Sequence, residues 1–150
     1  MISWFTLVLV VISVSVSSAS MGFCDPNDCG VDQVCMLDNN AKHCILQNDV
    51  HNLAVTQVME KTWVENGKNF TLYRVHIINF GVKTLKHISI QTDSTLDPRD
   101  NTSIWNIEFH NGFFTLPFYS FGIPAGGEFI FGYIDHGVKA PNLYIRSINF

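Results

Sequence analysis

The chain has 150 residues, a formal net charge of −4 spread without long runs, and only 15 % charged side chains. No basic face for nucleic acid follows from that balance. The length suits one domain plus a small appendage.

The chain opens MISWFTLVLVVISVSVSSAS. Residues 5–16 are almost wholly apolar, and Ser17 and Ala19 suit the −3 and −1 sites of signal peptidase, so residues 1–19 read as a secretory signal peptide. A membrane anchor is the rival reading, but the run falls short of the roughly 20 apolar residues a span needs. No later stretch is long and apolar enough to span a membrane, and no C-terminal hydrophobic tail signals a lipid anchor. The expectation is a soluble, secreted, extracellular protein of about 130 residues after cleavage. The sequons Asn69-Phe70-Thr71 and Asn101-Thr102-Ser103 make Asn69 and Asn101 candidate glycosylation sites.

All four cysteines, Cys24, Cys29, Cys35 and Cys44, fall in a segment taken as residues 20–50. In an oxidising compartment so dense an even set reads as two disulfides, with three pairings open. The segment is too short and polar to bury a core, so crosslinks replace one. A zinc site with His43 is the alternative, though the spacings are looser than the usual C-x₂-C. The spacing around Cys24, Cys29, Gly30, Cys35 and Cys44 resembles the follistatin-like four-cysteine motifs of extracellular and spore-coat proteins of social amoebae.

From Leu53 to Phe150 the pattern has period two. NFTLYRVHIINF alternates Phe70, Leu72 and Arg74 against Thr71, Tyr73, Val75 and Ile77. KHISIQT sets Ile88 and Ile90 against Ser89. SIWNIEF sets Trp105, Ile107 and Phe109 against Asn106 and Glu108. EFIFGYI groups Phe129, Phe131 and Tyr133, and LYIRSINF supplies a last strand. Turn signals divide them at Glu65-Asn66-Gly67, Asn79-Phe80-Gly81, Asp97-Pro98-Arg99, His110-Asn111-Gly112 and Pro124-Ala125-Gly126-Gly127. No window carries a helical stripe. The fold expected over residues 53–150 is an antiparallel β-sandwich, preceded by the short disulfide-rich segment; a closed barrel is the alternative.

No catalytic or metal constellation stands out, and no cofactor motif is present. The six histidines are scattered. Glu60, Glu65, Glu108, Glu128 and Asp135 are carboxylates of the kind glycoside hydrolysis needs, but nothing in the spacing selects a pair. The expectation is a non-catalytic protein.

TLPFYSFGIPAGGEFIFGYI holds six aromatic rings around one turn. Phe129, Phe131 and Tyr133 suit a core. Phe118 and Tyr119, next to Leu116-Pro117, and Trp63, before the turn at Asn66, suit a surface. A flat ring at a surface offers an apolar plate with a polar rim, which matches the C–H face of a β-linked sugar ring. Asn66, Gln91 and Asn106 are candidate polar groups around such plates.

Three stretches occur in order: VTQVMEKTWVENGKNFTLYRVHIINFGVKTLKHISI, SIWNIEF and FTLPFYSFGIPAGGEFIFGYI. Together they resemble the family 49 carbohydrate-binding module over nearly the whole domain. That resemblance implies a β-sandwich whose partner is cellulose or a related β-glucan, held by surface aromatics. It places Trp63 and Trp105 on the family's tryptophans, while the alternation of Trp105 with Ile107 and Phe109 equally suits a core position. The third is expected near Leu116-Pro117, where Phe118-Tyr119 stands instead, making Tyr119 the substitute plate. The role implied is binding cellulose in an extracellular matrix or wall. A module that binds coat or matrix proteins through the cysteine segment is the alternative from another class.

Overall fold

The computed structural model describes residues 22–150. The leader expected at 1–19 and its cleavage point lie outside the described residues. Ten strands form two sheets packed face to face, and a 3₁₀ turn at Gln47–Asp49 is the one helical element among these residues. β1 (Gln33–Asp38) and β2 (Ala41–Leu46) form a hairpin. They join β5 (His87–Thr92), β7 (Glu108–His110), β8 (Phe113–Thr115) and β10 (Leu143–Asn149) in a six-stranded sheet, ordered β2-β1-β10-β5-β8-β7. β3 (Leu53–Glu65), β4 (Lys68–Asn79), β6 (Ile104–Trp105) and β9 (Glu128–His136) form the second sheet, ordered β3-β4-β9-β6. All pairings are antiparallel except β1 with β10. The expected sandwich is the fold observed.

The core follows from the alternation. In β4, Tyr73, Val75 and Ile77 point inward with Thr71, while Leu72, Arg74 and His76 point out. Ile88 and Ile90 of β5, Ile145 and Ile148 of β10, and Phe131 and Tyr133 of β9 close the layer between the sheets. Phe114 of β8 stands at its centre, with ring centroids 4.7 Å from Phe109, 5.2 Å from Phe131 and 6.3 Å from Tyr133. Hairpins form where asparagine and glycine take left-handed backbone. Asn66-Gly67 (φ 51° and 75°) joins β3 to β4, and Asn111-Gly112 (52° and 81°) joins β7 to β8.

SIWNIEF is not one strand. Asn106 takes φ 59°, and there the chain leaves β6 in one sheet and enters β7 in the other. The expected alternation breaks at that residue. Ile107 and Phe109 pack on the core, whereas Trp105 lies outside it, 42 % exposed.

The disulfides are Cys24–Cys35 and Cys29–Cys44. With every cysteine so bonded, the zinc alternative with His43 falls away. Cys35 and Cys44 are cross-strand partners in the β1–β2 hairpin, so the two bridges fasten residues 24–29 onto it. They close loops with separations of 11 and 15 residues, worth about 3 kcal/mol each by loop-closure entropy. Cys24, Cys35 and Leu37 form a small cluster of their own, while Val34 of β1 points into the main core. Arg146, at a bulge in β10, reinforces the attachment. Its buried guanidinium donates to the carbonyls of Pro26 (3.1 Å), Gly30 (3.3 Å) and Val31.

Asn79, at the end of β4, is fully buried and locks three segments together. Its Nδ2 donates to the carbonyls of Lys83 (2.8 Å), Ile123 (2.9 Å) and Pro124 (3.2 Å), and its Oδ1 accepts from the Gly81 N–H (2.9 Å). Asn79→Ala leaves several buried groups without partners. We expect a loss of about 3 kcal/mol or more in urea unfolding with the slope unchanged.

Candidate carbohydrate-binding face

The outer face of the β3-β4-β9-β6 sheet gathers the tryptophans. Register aligns Trp63, Phe70 and His136 across β3, β4 and β9, and aligns Val58, Arg74, Gly132 and Trp105 across all four strands. The two rows lie four residues apart along β4, about 13 Å. Both tryptophans therefore stand on one face, near opposite corners.

Trp105 lies flat because residue 132 is glycine. A Cβ there would overlap the indole, 2.6 Å from Cε2 and 3.0 Å from Nε1. The ring covers the β9 backbone, with the Arg74–Glu60 ion pair (2.8 Å) lining the same shallow notch. Asn106 borders it. Its Nδ2 donates to the Ile130 carbonyl, and its Oδ1 accepts from the Tyr119 hydroxyl at 3.4 Å.

Tyr119 belongs to a loop held at both ends. Leu116 and Pro117 are buried on one side and Ile123 on the other. The Ser120 N–H donates to the Pro117 carbonyl (2.8 Å), and the Phe118 N–H to Glu108 Oε1 (2.9 Å). Between these anchors Phe118, Tyr119 and Phe121 project 91 %, 58 % and 100 % exposed. Of the six rings around the Pro-Ala-Gly-Gly turn, three thus serve the interior side and three the surface. Phe121 was not singled out by sequence, though its place between the same two anchors marks it as well as Phe118.

Trp63 is only half-buried in edge strand β3. Its ring stacks beside Phe70 (centroids 5.9 Å, 29°), and Lys61 Nζ stands 5.8 Å from its centroid. Phe70 in turn meets His136 at 4.7 Å, which buries Phe70 although it has outward parity. Asn66 sits in the adjoining hairpin, beside an open groove shared with Lys68, Arg99 and His136. Gln91 is not part of this face: it belongs to β5, in the other sheet. Asn69 and Asn101 are both exposed.

The carboxylates are each engaged separately. Glu60 pairs with Arg74, Glu128 with His76 (3.0 Å), Glu65 accepts from the Trp63 indole N–H (3.5 Å), and Glu108 holds the Phe118 amide. Asp135 is buried, accepting from the Asp97 N–H (2.7 Å). Burial pushes its pKa up to about 6, and burial likewise raises the Tyr73 and Tyr133 phenols. Among the described residues no group of three or more His, Cys, Asp or Glu is placed to hold a metal. None of their helices is long and apolar enough to cross a membrane.

A β-sandwich carrying flat rings on one outer sheet face has the architecture of a carbohydrate-binding module. The sequence profile described as "Carbohydrate binding domain CBM49" matches residues 53–136. The chain belongs to that family. It is 38 % identical over 151 residues to both Stalk-specific protein A and Stalk-specific protein B of Dictyostelium discoideum, covering 96 % of this chain and 96 % of each relative. It is 25 % identical over 95 residues to Endoglucanase 6 of Arabidopsis thaliana, covering 63 % of this chain and 14 % of that protein. Among solved structures it is similar to the chitin-binding domain of Chi18aC from Streptomyces coelicolor (TM-score 0.47, 16 % identity, 64 % of this chain and 91 % of that one). It is also similar to the chitinase ChiA74 from Bacillus thuringiensis (TM-score 0.43, 18 % identity, 61 % of this chain and 14 % of that one).

Two outcomes test the geometry. Gly132→Ala pushes the indole off β9; we expect a changed Trp105 fluorescence environment with little change in melting temperature, since the displaced ring is an exposed side chain that swings into solvent. Asp135 binds its proton more tightly folded than unfolded, so its contribution to stability is present below about pH 4 and is lost as pH rises toward 6, by about 3 kcal/mol. Asp135→Asn keeps the acceptor for the Asp97 amide and removes the titration. Its melting temperature, compared with the unaltered protein from pH 4 to 7, should lack that decline.

Proposed function

We propose that this protein is exported and binds cellulose, a β-1,4-glucan, in an extracellular matrix or wall, without catalysis of its own. The observation that carries the reading is Trp105 laid flat and exposed over Gly132, with Asn106 and Tyr119 at its rim. A glucose ring set on the indole buries C–H surface while its equatorial hydroxyls stay at the edge, within reach of the Arg74–Glu60 pair and the Asn106 amide. Phe118 and Tyr119 extend the apolar surface beyond the sheet edge, and Trp63 supplies a smaller contact at the far corner. Export is supported by the apolar leader with its small-residue cleavage site and by two disulfides, which persist in oxidising compartments. In that route Asn69 and Asn101 are the glycan acceptors, both on exposed positions.

The test is a sedimentation assay with microcrystalline cellulose, amorphous cellulose and chitin. Unaltered protein should be depleted by cellulose. Trp105→Ala should weaken binding about tenfold or more, and Tyr119→Ala and Trp63→Ala by smaller factors, with melting temperatures preserved. Equal depletion by chitin would broaden the ligand class. No depletion by any of the three would defeat the glycan reading.

A further inference from the structure

The sandwich has a second outer face, and register places a row of flat and amide side chains across it. Tyr144 of β10 pairs with Gln91 of β5, Gln91 with Phe113 of β8, and Phe113 with His110 of β7. The neighbouring row, Ile145, Ile90, Phe114 and Phe109, points into the core. Side chains alternate along a strand, so the Tyr144 row points away from the first sheet. Tyr144 is 44 % exposed, His110 is exposed, and Gln91 and Phe113 are half-buried. Strands about 4.8 Å apart make the row about 14 Å long.

Its chemistry is that of a sugar ribbon's complement. A phenol and a phenyl ring alternate with an amide and an imidazole, and no side chain in the row bears a permanent charge. The rings offer apolar area, and the amide between them donates and accepts at once, as vicinal hydroxyls require. The charged group nearest along β10, Arg146, is turned into the carbonyls of residues 26–31 and does not enter the row. We propose that this row is a second glycan-binding face, opposite the Trp105 face, so that one molecule bridges two chains or fibrils of a neutral β-linked polysaccharide. The inference rests on the glucan reading above and adds to it a second site and a crosslinking activity.

The test uses the full chain, disulfides intact, and a suspension of cellulose nanocrystals. Binding is read by depletion and bridging by turbidity. The double variant Tyr144→Ala/His110→Ala should be depleted within about twofold of the unaltered protein, yet its bundling should fall about fivefold or more. Trp105→Ala should keep a residual depletion that the triple variant lacks, and Tyr144→Phe, which retains the plate, should still bundle. If the double variant fails to fold, Gln91→Ala carries the same expectation. Undiminished bundling by a folded double variant overturns the second face and leaves the Trp105 face standing, as does failure of the unaltered protein to bundle while it binds. Absence of depletion for the unaltered protein overturns both readings together.

Discussion

Phe114 is the side chain on which the two sheets meet. Its ring touches Phe109 within its own sheet and Phe131 and Tyr133 across the gap. A sandwich core is one interdigitated layer about 10 Å thick, so each strand has one inside and one outside. Once Phe114 and its neighbours occupy that layer, parity assigns every other side chain to a face. Trp105 and Tyr144 are surface groups because Ile104, beside the one, and Ile145, beside the other, pack on the interior. Aromatic pairs of this kind add about 0.5–1.5 kcal/mol each beyond burial, enough to fix which rings go inside.

Where a strand runs unbroken, that parity is legible in the sequence. β4 and β9 read directly from their alternation, and the Asn-Gly hairpins read from the need for left-handed backbone, whereas the bulge at Arg146 breaks the alternation of β10. β6 and β7 do not, because the break lies at Asn106. An asparagine in left-handed conformation resets the alternation without interrupting the apolar pattern. The β1–β2 hairpin is hidden for another reason. Its turn, Asn39-Asn40 at φ 50° and 60°, sits inside a cysteine spacing that already accounts for the segment. Its parallel pairing with β10 joins residues more than a hundred positions apart, which no local pattern encodes.

The candidate face divides the same way. Exposure of Phe118 and Tyr119 follows from the buried Leu116-Pro117 anchor beside them, a local feature. The seating of Trp105 depends on Gly132, a residue 27 positions away that looks from the sequence like a weak point in a strand. Gln91 shows the limit of residue type as a guide. Its type suits a rim group beside the rings, but it is a half-buried amide of the other sheet: two sheets offer two faces, and topology alone decides which.

The energetics of such faces favour using several at once. The Arg74–Glu60 pair is largely solvated, and exposed ion pairs contribute little, so affinity for a neutral glycan rests on ring area and a few hydroxyl contacts. If one stacked ring supplies about 1–2 kcal/mol, micromolar binding, near 8 kcal/mol, requires several rings acting together. Trp105, Tyr119 and Phe118 cluster at one edge and Trp63 stands at the opposite corner, so a short oligosaccharide engages only part of the set. A repetitive solid compensates, because each contact made raises the effective concentration for the next. On that arithmetic, a small two-faced sandwich gains more from an array of parallel chains than from any one soluble oligosaccharide.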